Sequence, residues 1–193
     1  MILVIDTSSA VSALALLDGD GTVVAEDIGP SGPRFDLPAR FRTLTDGQTV
    51  TKIGVAVGPG SFTGLRSGVS FGLGLAIGLR VPIAALRTLH LQAARSLELA
   101  VAVAEAGRGR VYYLAPGSRP ELGEPADLPK TPPLVGWLRA ATEEALLEEG
   151  LRFRPESELR TFGAAAAITL ESAPEVAYGS LRLEYMQPFS TRA

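Results

Sequence analysis

Two acidic side chains follow apolar runs and are the first candidates for chemistry. Asp6 ends the run at residues 2–5 and leads into Thr7 and Ser8, while Glu105 follows a second run at residues 99–104. A carboxylate beside hydroxyl groups at a strand end can hold a hydrated Mg²⁺ or face a phosphate. The same residue types also form turns in which side-chain oxygens accept nearby N–H groups. Both interpretations stay open for Asp6, whereas a solvated turn residue is favoured for Glu105.

A glycine-rich segment at residues 58–68, with the sequence GPGSFTGLRSG, follows another apolar run and begins a helix. Its glycines permit a tight turn with positive φ, and Ser61 or Thr63 can cap the helix by accepting a backbone N–H. Because helix starts attract anions, a phosphate site is one interpretation. The segment lacks the Gly-Lys-Ser/Thr ending of a P-loop and the spacing of a dinucleotide site. A structural turn is therefore favoured.

The helix predicted over residues 63–79 has two apolar faces. Its five glycines together cost roughly 4–5 kcal/mol relative to alanine, so close packing has to offset them. On a helical wheel the bulky residues, such as Val69 and Leu73, lie on one side, and we expect that side to face the sheet. The glycine side would admit a second backbone, from this chain or from another subunit. The predicted subunit contact comprises Ser61, Phe62, Gly64, Leu65, Ser67, Gly68, Phe71, Gly72 and Leu75.

The composition argues against several classes of function. The chain has no cysteine and one histidine, His90, so neither a disulfide framework nor a zinc site with His and Cys ligands is expected. The net charge is −3 without a basic block, which does not indicate direct nucleic-acid binding. The longest apolar stretch, residues 69–79, is about 11 residues long and too short to span a bilayer. We expect a cytoplasmic protein without a catalytic metal or membrane contact.

The order of apolar runs and turn signals predicts an α/β protein of two lobes, residues 1–98 and 99–193. Three strands that follow one another, then helices that cross over, favour a mixed five-stranded sheet over a parallel one. The second half reads as a smaller echo of the first, with helices at 142–149 and 163–170. The predicted strands of the first lobe are 2–5, 13–17, 22–25, 53–57 and 83–86. Its predicted helices are 37–44, 63–79 and 88–98, the last of them capped by Thr88.

The residues already described resemble the TsaB (YeaZ-type) family. The resemblance rests on IDTSS at 5–9, ALALL at 13–17 and the highly specific string GPGSFTGLRSG at 58–68. It is strong over residues 1–98 and faint beyond, ending with YMQP at 185–188. It implies an actin/Hsp70-like (ribonuclease H-like, ASKHA) fold with a shortened second lobe. The sequence departs from the family in lacking a His-Ser pair after the third strand and in having Glu105 where an aspartate is common.

The resemblance further implies a role as the non-catalytic dimerisation subunit of the machinery that forms N6-threonylcarbamoyladenosine in tRNA. The implied partners are a catalytic TsaD-like paralogue and a TsaE-like ATPase, with tRNA reached through the complex and a homodimer in their absence. ATP, ADP or Mg²⁺ is expected only at a subunit boundary, with Asp6, Thr7, Ser8 and Glu105 as a possible vestigial site. Alternatives are an ATP-dependent transferase or kinase and, less favoured, a glycoprotease. If the glycine face is the interface, Gly68→Leu should abolish the complex and leave the isolated fold near native.

Overall fold

The apolar run after Met1 forms the central strand of the larger sheet in the computed structural model, which describes residues 1–184. This strand pairs antiparallel with its successor in sequence and parallel with the fourth strand. Strands in this position are buried on both faces, which explains the continuous apolar sequence. The first five strands are β1 (Ile2–Asp6), β2 (Val11–Leu17), β3 (Val23–Pro30), β4 (Lys52–Gly58) and β5 (Ile83–Arg87), in the spatial order β5-β4-β1-β2-β3.

Three helices accompany this sheet: α1 (Leu37–Thr45), α2 (Phe62–Leu79) and α3 (Thr88–Arg95). Asp36 caps α1 by accepting a hydrogen bond from the N–H of Ala39. Ser61 caps α2 through Gly64, as expected from the sequence, and Arg80 ends the helix in a left-handed conformation. Helix α2 packs mainly on β4, so the glycine-rich segment lies across the middle of the sheet.

The smaller sheet repeats the strand arrangement of the larger one. It comprises β6 (Val101–Gly107), β7 (Arg110–Leu114), β8 (Glu121–Gly123) and β9 (Leu134–Val135), in the order β8-β7-β6-β9. Its first strand, β6, pairs antiparallel with the second and parallel with the fourth, as β1 does in the larger sheet. Helix α4 (Ala140–Glu148) follows these strands. The duplicated arrangement agrees with the two-lobed α/β fold expected from the sequence.

The last described part of the chain returns to the larger sheet. Helix α5 (Phe162–Ser172) packs against α3 and β2, and the short strand β10 (Glu175–Val176) pairs with β5. The larger sheet therefore has six strands, so the predicted count of five was wrong. The sixth was missed because two paired residues leave no periodic pattern to read. The division into lobes at residue 98 stays a prediction, since chain from beyond that residue packs on the first sheet.

Two smaller predictions about elements need correction. Helix α3 ends at Arg95, before residue 98, because Ser96 is extended and forms a β-bridge with Leu159. Thr88 does not cap α3; its hydroxyl donates instead to Ser8 Oγ. The predicted family-like ending at 185–188 lies outside the described residues.

Candidate functional site

Three of the five glycines of α2, Gly64, Gly68 and Gly72, face the chain's own sheet. A methyl group built on Gly64 would lie 1.9 Å from the carbonyl oxygen of Thr7, and one on Gly68 would lie 2.3 Å from Thr7 Oγ1. One built on Gly72 would lie 3.3 Å from Ile5 Cδ1. The Thr7 hydroxyl fills the space by donating a 2.7 Å hydrogen bond to the Gly64 carbonyl. The second backbone that the glycines admit is therefore β1 of the same chain.

This orientation contradicts much of the predicted subunit contact. Leu65, Gly68 and Gly72 are buried on the chain's own sheet, and the half-buried Gly64 meets Thr7. Phe71 contacts the edge of Phe41 from α1 at a ring-centroid distance of 6.0 Å. Both Leu75 and Phe71 pack on the core of the first lobe, and the half-buried Ser61 caps the helix. Of the predicted contact residues, Phe62 and Ser67 are exposed.

The opposite face of α2 points outward and is both apolar and small. Ile77 on this face is 52% exposed, and Phe62 and Leu79, at the two ends of the helix, are 46% and 47% exposed. Between them, Gly74 and Gly78 have open space where a side chain would project. By length and composition alone α2 could cross a membrane, with 28% of it buried. A soluble core helix passes the same test, and the absence of membrane contact stays a prediction. Small or polar residues at 63, 67, 70, 74 and 78 mark this face in the sequence. The wheel grouped those at 67, 74 and 78 with Gly64, Gly68 and Gly72, which lie on the sheet side instead.

Asp6 lies sealed inside the molecule. Its side chain is fully buried, Oδ1 accepts a 2.8 Å hydrogen bond from the N–H of Ser8, and Oδ2 has no partner among residues 1–184. Burial raises the pKa of Asp6, while the hydrogen bonds from Ser8 and the charge of Arg95 act in the opposite direction. Arg95 is itself 3% exposed and forms an ion pair with Glu156. A carboxylate closed off from solvent in this way is a poor ligand for a hydrated cation.

Thr7 and Ser8 connect β1 to the starts of two helices. The Ser61 N–H donates to the Ser8 carbonyl at 2.7 Å, which holds the cap of α2. The Thr88 hydroxyl donates to Ser8 Oγ at 3.2 Å, which holds the start of α3. Both hydroxyls are occupied by partners 57 and 80 residues away in the chain. The local contact that supports the turn interpretation is the hydrogen bond from the Ser8 N–H to Asp6 Oδ1.

Glu105 organises the start of α4. Its carboxylate accepts hydrogen bonds from the Thr142 hydroxyl at 2.6 Å and from the Arg139 N–H at 3.1 Å. The side chain is 8% exposed, so the expected solvated turn residue was wrong for this position. An acceptor at a helix N-terminus satisfies free N–H groups and complements the helix dipole. Glu105 is thus occupied structurally and does not line the cleft described next.

A cleft of about 550 Å³ opens beside the glycine-rich turn. Half of its lining residues carry hydroxyl groups, and Arg139 from the second lobe is the cation that lines it. Neither Asp6 nor Glu105 is part of the lining, and residues 1–184 contain no group of three His, Asp or Glu side chains suited to a metal ion. Sequence reasoning missed Arg139 because nothing local marks it. The hydroxyl residues on the lining are Thr7, Ser9, Ser12, Ser31, Ser61, Thr63 and Ser67.

Comparison with known sequences places the chain beside proteins of one pathway. The family model of TsaD, described as tRNA N6-adenosine threonylcarbamoyltransferase, matches residues 44–128. The TsaB protein of Bacillus subtilis, named for tRNA threonylcarbamoyladenosine biosynthesis, is 40% identical over 121 residues, covering 58% of this chain and 52% of that protein. The Escherichia coli TsaB is 32% identical over 131 residues, covering 58% and 53%. The chain spans about half the length of the curated relatives it matches.

Solved structures share the fold over nearly the whole chain. YeaZ from Pseudomonas aeruginosa superposes with a TM-score of 0.71 at 22% identity, covering 96% of this chain and 99% of that one. A second Pseudomonas aeruginosa structure, described as similar to peptidase YeaZ, has a TM-score of 0.69 at 19% identity, with the same coverage. At such identities the likeness establishes the fold alone.

The duplicated strand order, with crossover helices on the larger sheet, defines a protein of the actin-like ASKHA class. The residues that fix its glycine-rich turn against β1 are those on which the sequence resemblance rests. Over 121 and 131 aligned residues, the chain is similar to proteins of the TsaB/YeaZ family.

Proposed function

We propose that this chain is a non-catalytic partner subunit of the complex that forms N6-threonylcarbamoyladenosine in tRNA. Support comes from the TsaB proteins it matches, whose names refer to biosynthesis of that nucleoside. The partner is a TsaD-like catalytic paralogue, and a TsaE-like ATPase joins the complex. The chain reaches tRNA through the complex, and any adenine nucleotide or Mg²⁺ lies at a subunit boundary. We expect these events in the cytoplasm.

The outward face of α2 carries the proposal. Exposed apolar side chains along one helix, with open space at Gly74 and Gly78, suit close packing against another helix. Arg66 stacks on Phe62 at 5.1 Å and keeps that ring covered on one side. A self-complementary face of this kind pairs isologously when no other partner is present, which gives a homodimer of the isolated chain. The interface thus uses the same helix as the sequence predicted, through its other side.

The arrangement of acids favours a partner role over catalysis. An ATP-dependent transferase of this fold requires carboxylates that face the cleft, whereas Asp6 is sealed behind Ser8 and Glu105 binds the start of α4. A metalloprotease requires a ligand cluster, which the described residues do not supply. The hydroxyl-lined cleft alone offers positioning without an acid, a base or a metal.

Light scattering on a sizing column tests the proposal directly. The mass of the chain is measured alone and mixed with its TsaD-like paralogue, for the wild type and for Ile77→Arg. We expect the wild type to exchange from a homodimer into a heteromeric complex. Ile77→Arg should weaken both assemblies by at least about tenfold, because burying an unpaired charge costs several kcal/mol.

Ile168→Arg is the matched control, since Ile168 is 44% exposed on α5, away from α2. Its masses should equal those of the wild type. A wild-type chain that stays monomeric and does not bind the paralogue would contradict the partner role. Equal effects of the two arginine variants would place the interface elsewhere.

A further inference from the structure

A second pocket, of about 390 Å³, lies at the carboxyl ends of β4 and β5. Val57, Arg87 and His90 line it on the sheet side, and Ser172 and Pro174 line it at the end of α5. We call it the Arg87 pocket. Crevices at the carboxyl ends of strands are where α/β proteins commonly bind ligands. The pocket is separate from the outward face of α2 and from the hydroxyl-lined cleft.

The chain's own Glu184 lines this pocket and contacts the ends of both strands. The Glu184 N–H donates to the Val57 carbonyl at 2.8 Å, extending the end of β4 by one main-chain hydrogen bond. The Glu184 carboxylate accepts from Arg87 Nε at 3.0 Å. The Glu184 backbone also lies against Gly58, where a methyl group would come within 2.8 Å of its carbonyl oxygen. Recognition consists of one main-chain hydrogen bond at the end of β4 and one carboxylate.

These contacts hold residues 182–184 weakly. The Arg87 and Glu184 side chains are 62% and 36% exposed, and an ion pair so open to water changes an equilibrium by no more than about fivefold. Burial and the charge of Arg87 lower the pKa of His90, so Arg87 is the main positive charge facing the carboxylate near neutral pH. Any extended segment that presents a glutamate in the same way can satisfy the same groups.

We propose that the Arg87 pocket is a docking site for an extended, glutamate-bearing segment of a partner protein, and that the chain's own Glu184 occupies it as a displaceable competitor. The charge complementarity and the main-chain acceptor at Val57 define the partner's chemistry. The proposal does not depend on the interface at α2, since no residue of that outward face lines the pocket.

Fluorescence anisotropy with a labelled peptide LRLE, the sequence of residues 181–184, tests the pocket in the full-length chain. Glu184→Ala removes the competitor's anchor and should raise the peptide's affinity by about two- to fivefold over the wild type. Adding Arg87→Ala should abolish this gain, and a peptide ending in glutamine should bind more weakly. Glu175→Ala is the matched control, since it breaks another surface ion pair of the same sheet, with Lys52 at 2.8 Å, and should leave the affinity unchanged.

Hydrogen exchange provides an independent readout on the same folded proteins. The amide of residue 184 should exchange faster in Glu184→Ala and in Arg87→Ala than in the wild type, while the amides of β1 stay protected. Peptide affinity that is indifferent to Arg87, or amide exchange that is unchanged in both variants, overturns the proposal. A dimer of the wild type that Arg87→Ala dissociates would assign the pocket to a second copy of the chain and would likewise overturn it. Ile77→Arg should bind the peptide as the wild type does, which separates this proposal from the proposed function.

Discussion

At the scale of single residues, Asp6 shows how burial changes the role of a carboxylate. Its position at the end of a strand beside Thr7 and Ser8 is compatible with metal or phosphate chemistry, yet Oδ2 has no partner among residues 1–184. An unpartnered buried acceptor costs about 1–3 kcal/mol, and a charged one costs more. The fold tolerates this because Ser8 binds the other oxygen and the charge of Arg95 acts on the carboxylate.

The raised pKa of Asp6 leads to a prediction about pH. The unfolded chain releases this proton near the ordinary value of 3.8, whereas the folded chain releases it at higher pH. The contribution of the protonated Asp6 side chain to the stability of the fold is therefore fully present below pH 3.8, and it is lost as the pH rises through the pKa of Asp6 in the folded chain. In Asp6→Asn that loss should be absent, so the variant should gain stability relative to the wild type as the pH rises through the folded pKa of Asp6. Urea unfolding across a pH series measures the difference.

Asp20→Asn, at an exposed turn, controls for removal of one negative charge. Parallel pH profiles for Asp6→Asn and the wild type would show that the buried carboxyl does not titrate differently on folding. A uniform loss of stability in Asp6→Asn at every pH would instead assign the main effect to packing.

At the scale of elements, the bounds of α2 were predictable from the sequence, whereas its orientation on the sheet was not. Its bounds were predictable to one residue because Ser61 caps it and glycines begin it. The sheet's central strands were also predictable, since β1 and β4 are continuous apolar runs between turn signals. The side of α2 that meets the sheet was not predictable from the sequence. A helical wheel shows which side carries large apolar side chains, but it does not show where the helix backbone comes closest to a strand. The glycines mark the close contact with Thr7, which only the folded backbone reveals.

The candidate site follows the same division. The turn residues Thr7, Ser8 and Ser61 were identifiable from their types and positions. Glu105 accepts hydrogen bonds from residues more than 30 positions away in the chain. Arg139 likewise lines the cleft beside residues that are distant from it in sequence. Contacts over such sequence separations leave no local period or motif in a single sequence.

Two glycines of α2 should respond oppositely to the same substitution. Gly64→Ala places a methyl group against the Thr7 carbonyl and should cost about 1–3 kcal/mol or more, since a backbone atom has to move. In the monomer Gly74→Ala places it in open space, so at concentrations too low for dimerisation the variant should stabilise the fold by up to about 1 kcal/mol through helix propensity. Chemical denaturation of the two variants provides the comparison, and each serves as the control for the other. Equal effects would contradict the orientation of α2.

At the scale of the whole molecule, the two sheets are joined through α5 and the residues before it. Phe162 is fully buried in the core beneath β1 and β2. Its ring lies 6.0 Å from that of Trp137, which follows β9 of the smaller sheet. The guanidinium carbon of Arg95, on α3, lies 4.2 Å from the centroid of the Trp137 ring. Arg95 also forms an ion pair with Glu156. The junction thus combines an apolar contact with a buried charge that has a partner.

Such a junction should make the described lobes unfold as one unit. Phe162→Ala should lower the free energy of unfolding by about 3–5 kcal/mol, as expected for removal of a buried ring. Because Trp137 is the only tryptophan of the chain, its fluorescence reports the junction, while far-UV circular dichroism reports both lobes. The two signals should keep a common midpoint in the wild type and in the variant. Phe153→Ala, in the core of the smaller sheet, should shift both signals as well, since cooperative unfolding transmits a local loss to the whole. Separate midpoints in either variant would show instead that the lobes unfold independently and that the junction through α5 is too weak to couple them.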